Sequence, residues 1–327
     1  MLFDARALLT VAATMLLLAG CGNAATQTPD AATAPDGFPI TLQNCGVEVT
    51  VDAPPTRAVG YYQHSVETML ALGLQDSLVG TVYPDNPPLP RYAAAYAAIP
   101  EISNKDASFE QILAVNPDFV YGSYSSAFDE STGRSRQAFA DAGITTYANP
   151  ENCASAPIVM DDVYTEVQTI ARLFGVPERA EDVVDEMKAG LSETAEKLAG
   201  VRPLRAFVYD SGDQTAFTAG GQGIGNQIIE LAGATNVFSE VAEPFADVSW
   251  EQVVERDPEV IVIYDYFGTP SIEDKKDLLR GRAELADVPA VKNNRFVVLT
   301  LQDAVLGVRA PYAVGKLARQ LHPDRFQ

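Results

Sequence analysis

Histidine, tryptophan, cysteine and positive charge are all scarce in this 327-residue sequence. It holds 2 His, 1 Trp and 3 Cys, and 23 Lys+Arg stand against 44 Asp+Glu, a formal net charge of −21. So few basic residues argue against nucleic acid or an anionic membrane surface as the main partner, since both need clustered Lys and Arg. His64 and His322 have no Cys, His or carboxylate partner at ligand spacing, so binding of a bare zinc or manganese ion is not expected. There is no Gly-x-Ser-x-Gly elbow. The run Gly220-Gly-Gln-Gly-Ile-Gly225 lacks the third glycine of a dinucleotide fingerprint and the Gly-Lys-Ser/Thr ending of a phosphate loop. Beyond the amino terminus, no apolar run approaches the roughly 20 residues that cross a bilayer. Apolar residues still make up 47% of the chain, which excludes disorder throughout and allows two domains of ordinary size.

The strongly apolar stretch Ala7 to Leu18 is too short for a span and leads into Leu18-Ala19-Gly20-Cys21. Small residues before a cysteine resemble the bacterial lipoprotein signal, in which cleavage before Cys21 leaves a thiol that takes lipid. Residues 1–20 are then a signal peptide, with a plain secretory signal as the alternative. Either reading places the protein outside the cytoplasm, and the first places it on the bacterial cell membrane by a lipid anchor. Residues 21–37, rich in Ala, Thr, Pro and Asp, read as a flexible tether. With Cys21 assigned to lipid, Cys45 and Cys153 form an even pair in an oxidising compartment. A disulfide between them is expected, two buried free thiols being the alternative.

From Arg57 onward, short apolar runs alternate with helical ones. Ala58 to Tyr62, Leu78 to Val82, Phe119 to Gly122 and Ile144 to Tyr147 read as strands. Ser65 to Leu72 and Gln137 to Ala142 read as helices. The alternation predicts an α/β fold with mainly parallel sheets. An internal repeat divides it: Ser108-Phe-Glu-Gln-Ile-Leu-Ala-Val-Asn-Pro matches Ser249-Trp-Glu-Gln-Val-Val-Glu-Arg-Asp-Pro. Each copy opens with Ser-x-x-Gln, a capping box, and passes through Pro into an apolar strand. Two similar lobes are therefore expected, residues 38–176 and 201–327. Between them, Val183, Val184, Met187, Leu191, Ala195 and Leu198 form a helical stripe within Pro177 to Gly200. That segment reads as a stiff strut or an ordinary surface helix.

The lipoprotein signal, the repeated unit, the long central helix and the opening Arg57-Ala-Val-Gly-Tyr-Tyr…Glu67-Thr-Met-Leu-Ala-Leu-Gly73 together resemble the substrate-binding proteins of ABC importers for ferric siderophores, haem and cobalamin. The resemblance covers about Val47 to Leu321. It implies two lobes joined by a single long helix, with the ligand in the cleft between them and little hinge motion. It also implies that Glu110 and Glu251, which open the two repeated helices, dock to arginines of the permease. A carboxylate in a helix's first turn also complements the macrodipole, which is the structural alternative.

Ligands of open α/β sheets bind at the carboxyl ends of strands. Tyr61, Tyr62, Tyr83, Tyr121 and Tyr124 fall there, Phe245 matches a cleft aromatic of cobalamin binders, and Arg309 resembles the family's cleft cation. Aromatics so placed are also often core edge. Arg309 could pair with an anionic ligand, and the expected function is capture of an anionic, partly aromatic iron chelate, a ferric siderophore, by a monomer without catalysis or cofactor. Cobalamin, haem, or an extracellular enzyme on the same scaffold are the alternatives.

Overall fold

The computed structural model describes residues 35–327; the expected signal peptide, Cys21 and most of the tether lie outside the described residues. The first lobe opens with an antiparallel hairpin, β1 (Ile40–Asn44) and β2 (Val47–Val51). Its tip, Cys45 and Gly46, has positive φ at both residues, as a two-residue hairpin turn requires. Next come β3 (Ala58–Tyr61), β4 (Leu78–Val82), β5 (Glu101–Ser103), β6 (Phe119–Gly122) and β7 (Thr145–Ala148), all parallel in the order β5-β4-β3-β6-β7. Strands β3 and β6 are buried along their whole length, as expected for a sheet covered by helices on both faces.

The second lobe holds β8 (Leu204–Tyr209), β9 (Ala216–Ala219), β10 (Ala234–Asn236), β11 (Phe245–Val248), β12 (Val260–Asp265) and β13 (Phe296–Thr300). Its parallel sheet runs β10-β8-β12-β13, and β9 pairs antiparallel with β11 beside it. The expected α/β class with two parallel sheets is the one observed. The two short antiparallel pairs were not expected, although Ile40-Thr-Leu-Gln43 and Val47-Glu-Val-Thr-Val51 carry the apolar–polar alternation of a half-buried strand.

Both capping boxes form. The Gln111 and Gln252 amides accept the Ser108 and Ser249 N–H groups at 2.9 Å, and the serine hydroxyls accept the return bonds. Each unit then feeds an interior strand, β6 or β12, so the repeat supplies equivalent positions in both lobes.

The helix Pro177–Lys197 lies between the two sheets in sequence, with Pro177 in its first turn and Gly200 left-handed just beyond its end. It packs on the helices Met160–Leu173 and Ala310–Leu321 through buried Ala180, Val184 and Met187. The predicted stripe shifts near its end: Thr194 is buried and Ala195 exposed. Thr194 tolerates this because its hydroxyl donates to the Gly190 carbonyl at 2.9 Å.

Cys45 and Cys153 are bonded, with Cα atoms 5.4 Å apart, tying the β1–β2 turn to the segment after β7. By the chain-entropy argument, closing a loop of this length stabilises by about 4–5 kcal/mol.

Tyr121 turns into the first lobe's core, away from the expected cleft. It is paired across the sheet with Tyr147, and both hydroxyls donate to Glu166 on the helix Met160–Leu173. Burial pushes the Glu166 carboxyl up to about 7, the two hydroxyl bonds offsetting part of that rise. Its folded value thus exceeds the unfolded one, so the native state binds the extra proton between about 4.5 and 7. The stability it contributes is full below pH 4.5 and is lost as pH rises through about 7. Urea unfolding of the native sequence should therefore weaken over that window relative to Glu166→Gln, by roughly 1.4 kcal/mol per pH unit. Parallel pH profiles for the two proteins would show Glu166 to be uninvolved.

Candidate binding cleft

The carboxyl ends of the strands converge on a pocket of ≈ 270 Å³ between the lobes. His64, Ser123, Tyr124, Glu151 and Asn152 line it from the first lobe, and Pro244, Phe245 and Val305 from the second. The chain enters this region through Tyr62 at φ 74° and ψ 160°, a conformation normally left to glycine. Tyr83 also has positive φ, 55°. These turns bring three rings together, Tyr62 lying 5.1 Å from Tyr83 and 4.8 Å from Tyr124 between centroids. His64 meets the Tyr124 ring edge-on at 4.9 Å. From the other lobe, Phe245 stacks on Phe217 at 5.7 Å. His64 in turn abuts Gly307, where a Cβ would come within 3.2 Å of the His64 Cβ, so the lobes meet closely there.

Three polar atoms in the lining are buried without a hydrogen-bond partner: His64 Nδ1, Ser123 Oγ and Tyr124 Oη. Unpaired buried groups cost free energy unless something satisfies them. Burial drops the His64 imidazole to about 3, so it is neutral at physiological pH. Burial likewise lifts the Tyr62 hydroxyl to about 12 and that of Tyr124 well above its ordinary value. The hydroxyl-bearing wall is therefore uncharged.

Arg309, expected as the cleft cation, is only 5% exposed and is paired to carboxylates within the protein. Its Nε and Nη2 donate to the two Glu67 oxygens at 2.5 and 2.6 Å, and Nη2 also donates to the Pro87 carbonyl at 2.9 Å. Asp303 adds a second carboxylate 3.9 Å away. Glu67 is completely buried and also accepts from Gln63 Nε2 and the Leu89 N–H. A guanidinium this deep needs an opposite charge, and the other lobe supplies it, so Arg309 is not the free cleft cation expected from sequence.

Glu151 makes a second carboxylate bridge. From the first lobe it accepts the Ile224 N–H at 2.9 Å and the Leu306 N–H at 2.6 Å, both in the second. Ile224 opens the helix Ile224–Leu231, so the carboxylate sits on that helix's N-terminus. The glycine-rich run before it is needed for close packing against another backbone segment. A Cβ on Gly220 or Gly221 would lie 2.2 or 1.9 Å from a backbone oxygen of Glu243 or Ser239. The glycines allow close backbone approach, and the anion at the turn is the chain's own.

Of the expected cleft residues, Tyr124 and Phe245 line the pocket, and Tyr62 and Tyr83 pack behind Tyr124 without entering the lining. Tyr61 is displaced: it is wholly buried, and its hydroxyl donates to Asp106 at 2.8 Å, beneath Arg134. Alternation along β3 sends it into the lobe while Tyr62, just past the strand, faces Tyr83 and Tyr124. Ser123, Glu151 and Asn152 were missed, although each follows an apolar strand closely, the one signal that could have found them. His64 lines the pocket too. Glu110 and Glu251 are both exposed and occupy the second position of their capped helices.

The sequence profile of the periplasmic binding protein family matches residues 59–302. An uncharacterised ABC transporter substrate-binding lipoprotein of Bacillus subtilis, YvrC, is 26% identical over 319 residues, covering 95% of each chain. The vitamin B12-binding protein of Pectobacterium atrosepticum is 28% identical over 223 residues, 64% of this chain and 72% of its own. The crystal structure of an ABC-type Fe3+-hydroxamate transport system from Saccharomonospora viridis superposes with a TM-score of 0.76 at 26% identity, covering 87% of this chain and 99% of that one. With the two-lobed fold and the cleft between its sheets, these matches establish that the chain belongs to the periplasmic binding protein family, as a substrate-binding protein of an ABC importer.

Proposed function

We propose that the cleft carries a metal chelate, a ferric siderophore foremost, and delivers it to the permease through Glu110 and Glu251, while Cys21 holds the protein to the membrane by lipid. The carrying observation is the pocket itself: a space of ≈ 270 Å³ between the two lobes, lined by the His64, Tyr124 and Phe245 rings with Ser123, Glu151 and Asn152. Flat or partly apolar chelates suit such walls, whereas a bare ion needs a dense donor set. The similarity to an Fe3+-hydroxamate transport system supports an iron chelate. The similarity to vitamin B12-binding proteins keeps cobalamin as the second reading. No chemical step is assigned to any residue, and the protein acts as a monomeric carrier.

Fluorescence quenching of the protein from Ala24 onward, titrated with ferric siderophores, cobalamin, haem and free ferric ion, tests this. The tyrosine cluster lies at the pocket, so a bound, strongly absorbing chelate should quench it saturably at submicromolar concentration. Response to free ferric ion alone, or to none of them, would remove the chelate from the function.

A further inference from the structure

We infer that this cleft is selective for chelates of zero or positive net charge and disfavours polyanionic ones. The inference rests on the reading of the protein as a chelate carrier and narrows its cargo. Two features of the inter-lobe region could attract an anion, and carboxylates of the first lobe occupy both. Glu67 takes the Arg309 guanidinium in a two-point bond, with Asp303 beside it. Glu151 takes the N-terminus of the helix Ile224–Leu231 and the Leu306 N–H. Among the described residues, the pocket lining contains no Lys or Arg and one carboxylate, Glu151.

The nearby cations are committed elsewhere. Arg134 donates to the Ala107 and Ser126 carbonyls and faces Asp106, and Lys275 donates to the Tyr264 carbonyl. Lys316 pairs with Asp303 at 2.6 Å. Apart from Glu151, the lining is made of residues without formal charge: His64, Ser123, Tyr124, Asn152, Pro244, Phe245 and Val305. Such groups match amide and hydroxamate carbonyls or N–H groups. Bringing a polyanion against Glu151, in a protein of net charge −21, adds like-charge repulsion that nothing in the lining offsets.

The test uses the protein from Ala24 onward and two charge-contrasted pairs: a neutral ferric tris-hydroxamate against a trianionic ferric tris-catecholate, and neutral cyanocobalamin against dianionic haem. Affinities are measured at pH 7.5 across a salt series around physiological ionic strength. In whichever pair binds, the neutral member should bind at least about tenfold tighter, and rising salt should narrow the gap by screening the repulsion. Glu67→Gln, which releases Arg309, should improve the polyanion's affinity. If that variant does not fold, the salt series on the native sequence decides. A polyanion that binds as tightly as its neutral counterpart, or tighter, overturns the charge selectivity and leaves the carrier reading intact. Failure of every chelate to bind overturns the carrier reading and the selectivity with it.

Discussion

Replacing Arg309 by methionine is expected to lower the unfolding free energy by about 3–5 kcal/mol, the cost of leaving a buried partner charge unpaired. Glu67 has no exposure, so it cannot turn to water, and its remaining donors, Gln63 Nε2 and the Leu89 N–H, are neutral. Glu67→Met alone should cost a similar amount, since it strands the guanidinium. The double variant Glu67→Met/Arg309→Met should recover much of the loss, because two apolar side chains can fill the space of a buried pair at little net cost. Recovery will be incomplete, as the Leu89 N–H and the Pro87 carbonyl each lose a partner. A double-mutant cycle in urea measures this coupling. Single substitutions costing under about 1 kcal/mol would mean that the pair behaves like an exposed surface bridge. The pair also joins the lobes across 242 positions of sequence. Together with Glu151 it opposes wide separation of the lobes, in keeping with a long, stiff linking helix.

Changing both Glu110 and Glu251 to alanine should abolish chelate uptake by cells that depend on this protein, while the purified protein keeps its chelate affinity. Both carboxylates are exposed, and both stand at the second position of helices with the same serine–glutamine cap, one on each lobe. Two guanidinium groups on a permease could meet them in charge-assisted bonds. Each single variant should reduce uptake by roughly tenfold or more, since a charge-assisted contact at a specific interface contributes at least that much. Local helix support predicts another pattern. If the two glutamates serve only their own helix dipoles, the double variant loses a little stability and transports normally. Full uptake by the double variant would therefore end the docking proposal.

Much of the architecture was legible in local pattern. The repeated capping box with its following proline located two helices and two interior strands, because those interactions span only a few residues. The disulfide was legible for another reason: once Cys21 is set aside, two cysteines have a single way to pair. The aromatic wall was half legible. Tyr124 lines the pocket with Tyr62 and Tyr83 packed behind it, while Tyr61 and Tyr121 are buried in the lobe, and composition does not reveal which strand-end rings reach an open space.

Charge was the least legible property of the cleft. An arginine near a strand end in an acidic chain looks like a free cation, and a glycine-rich turn before a helix looks like an open anion site. Each is filled by a glutamate of the other lobe, 242 positions away for Glu67 and 73 or more for Glu151. Sequence by itself determined the class of fold, the repeat and a long helix after residue 177, all set by short-range periodicity and capping, and it left Cys45 and Cys153 one way to pair. Only the tertiary structure decided which charges remain available to a ligand, because electrostatic partners are chosen by distance in space and by burial, and a linear chain carries neither.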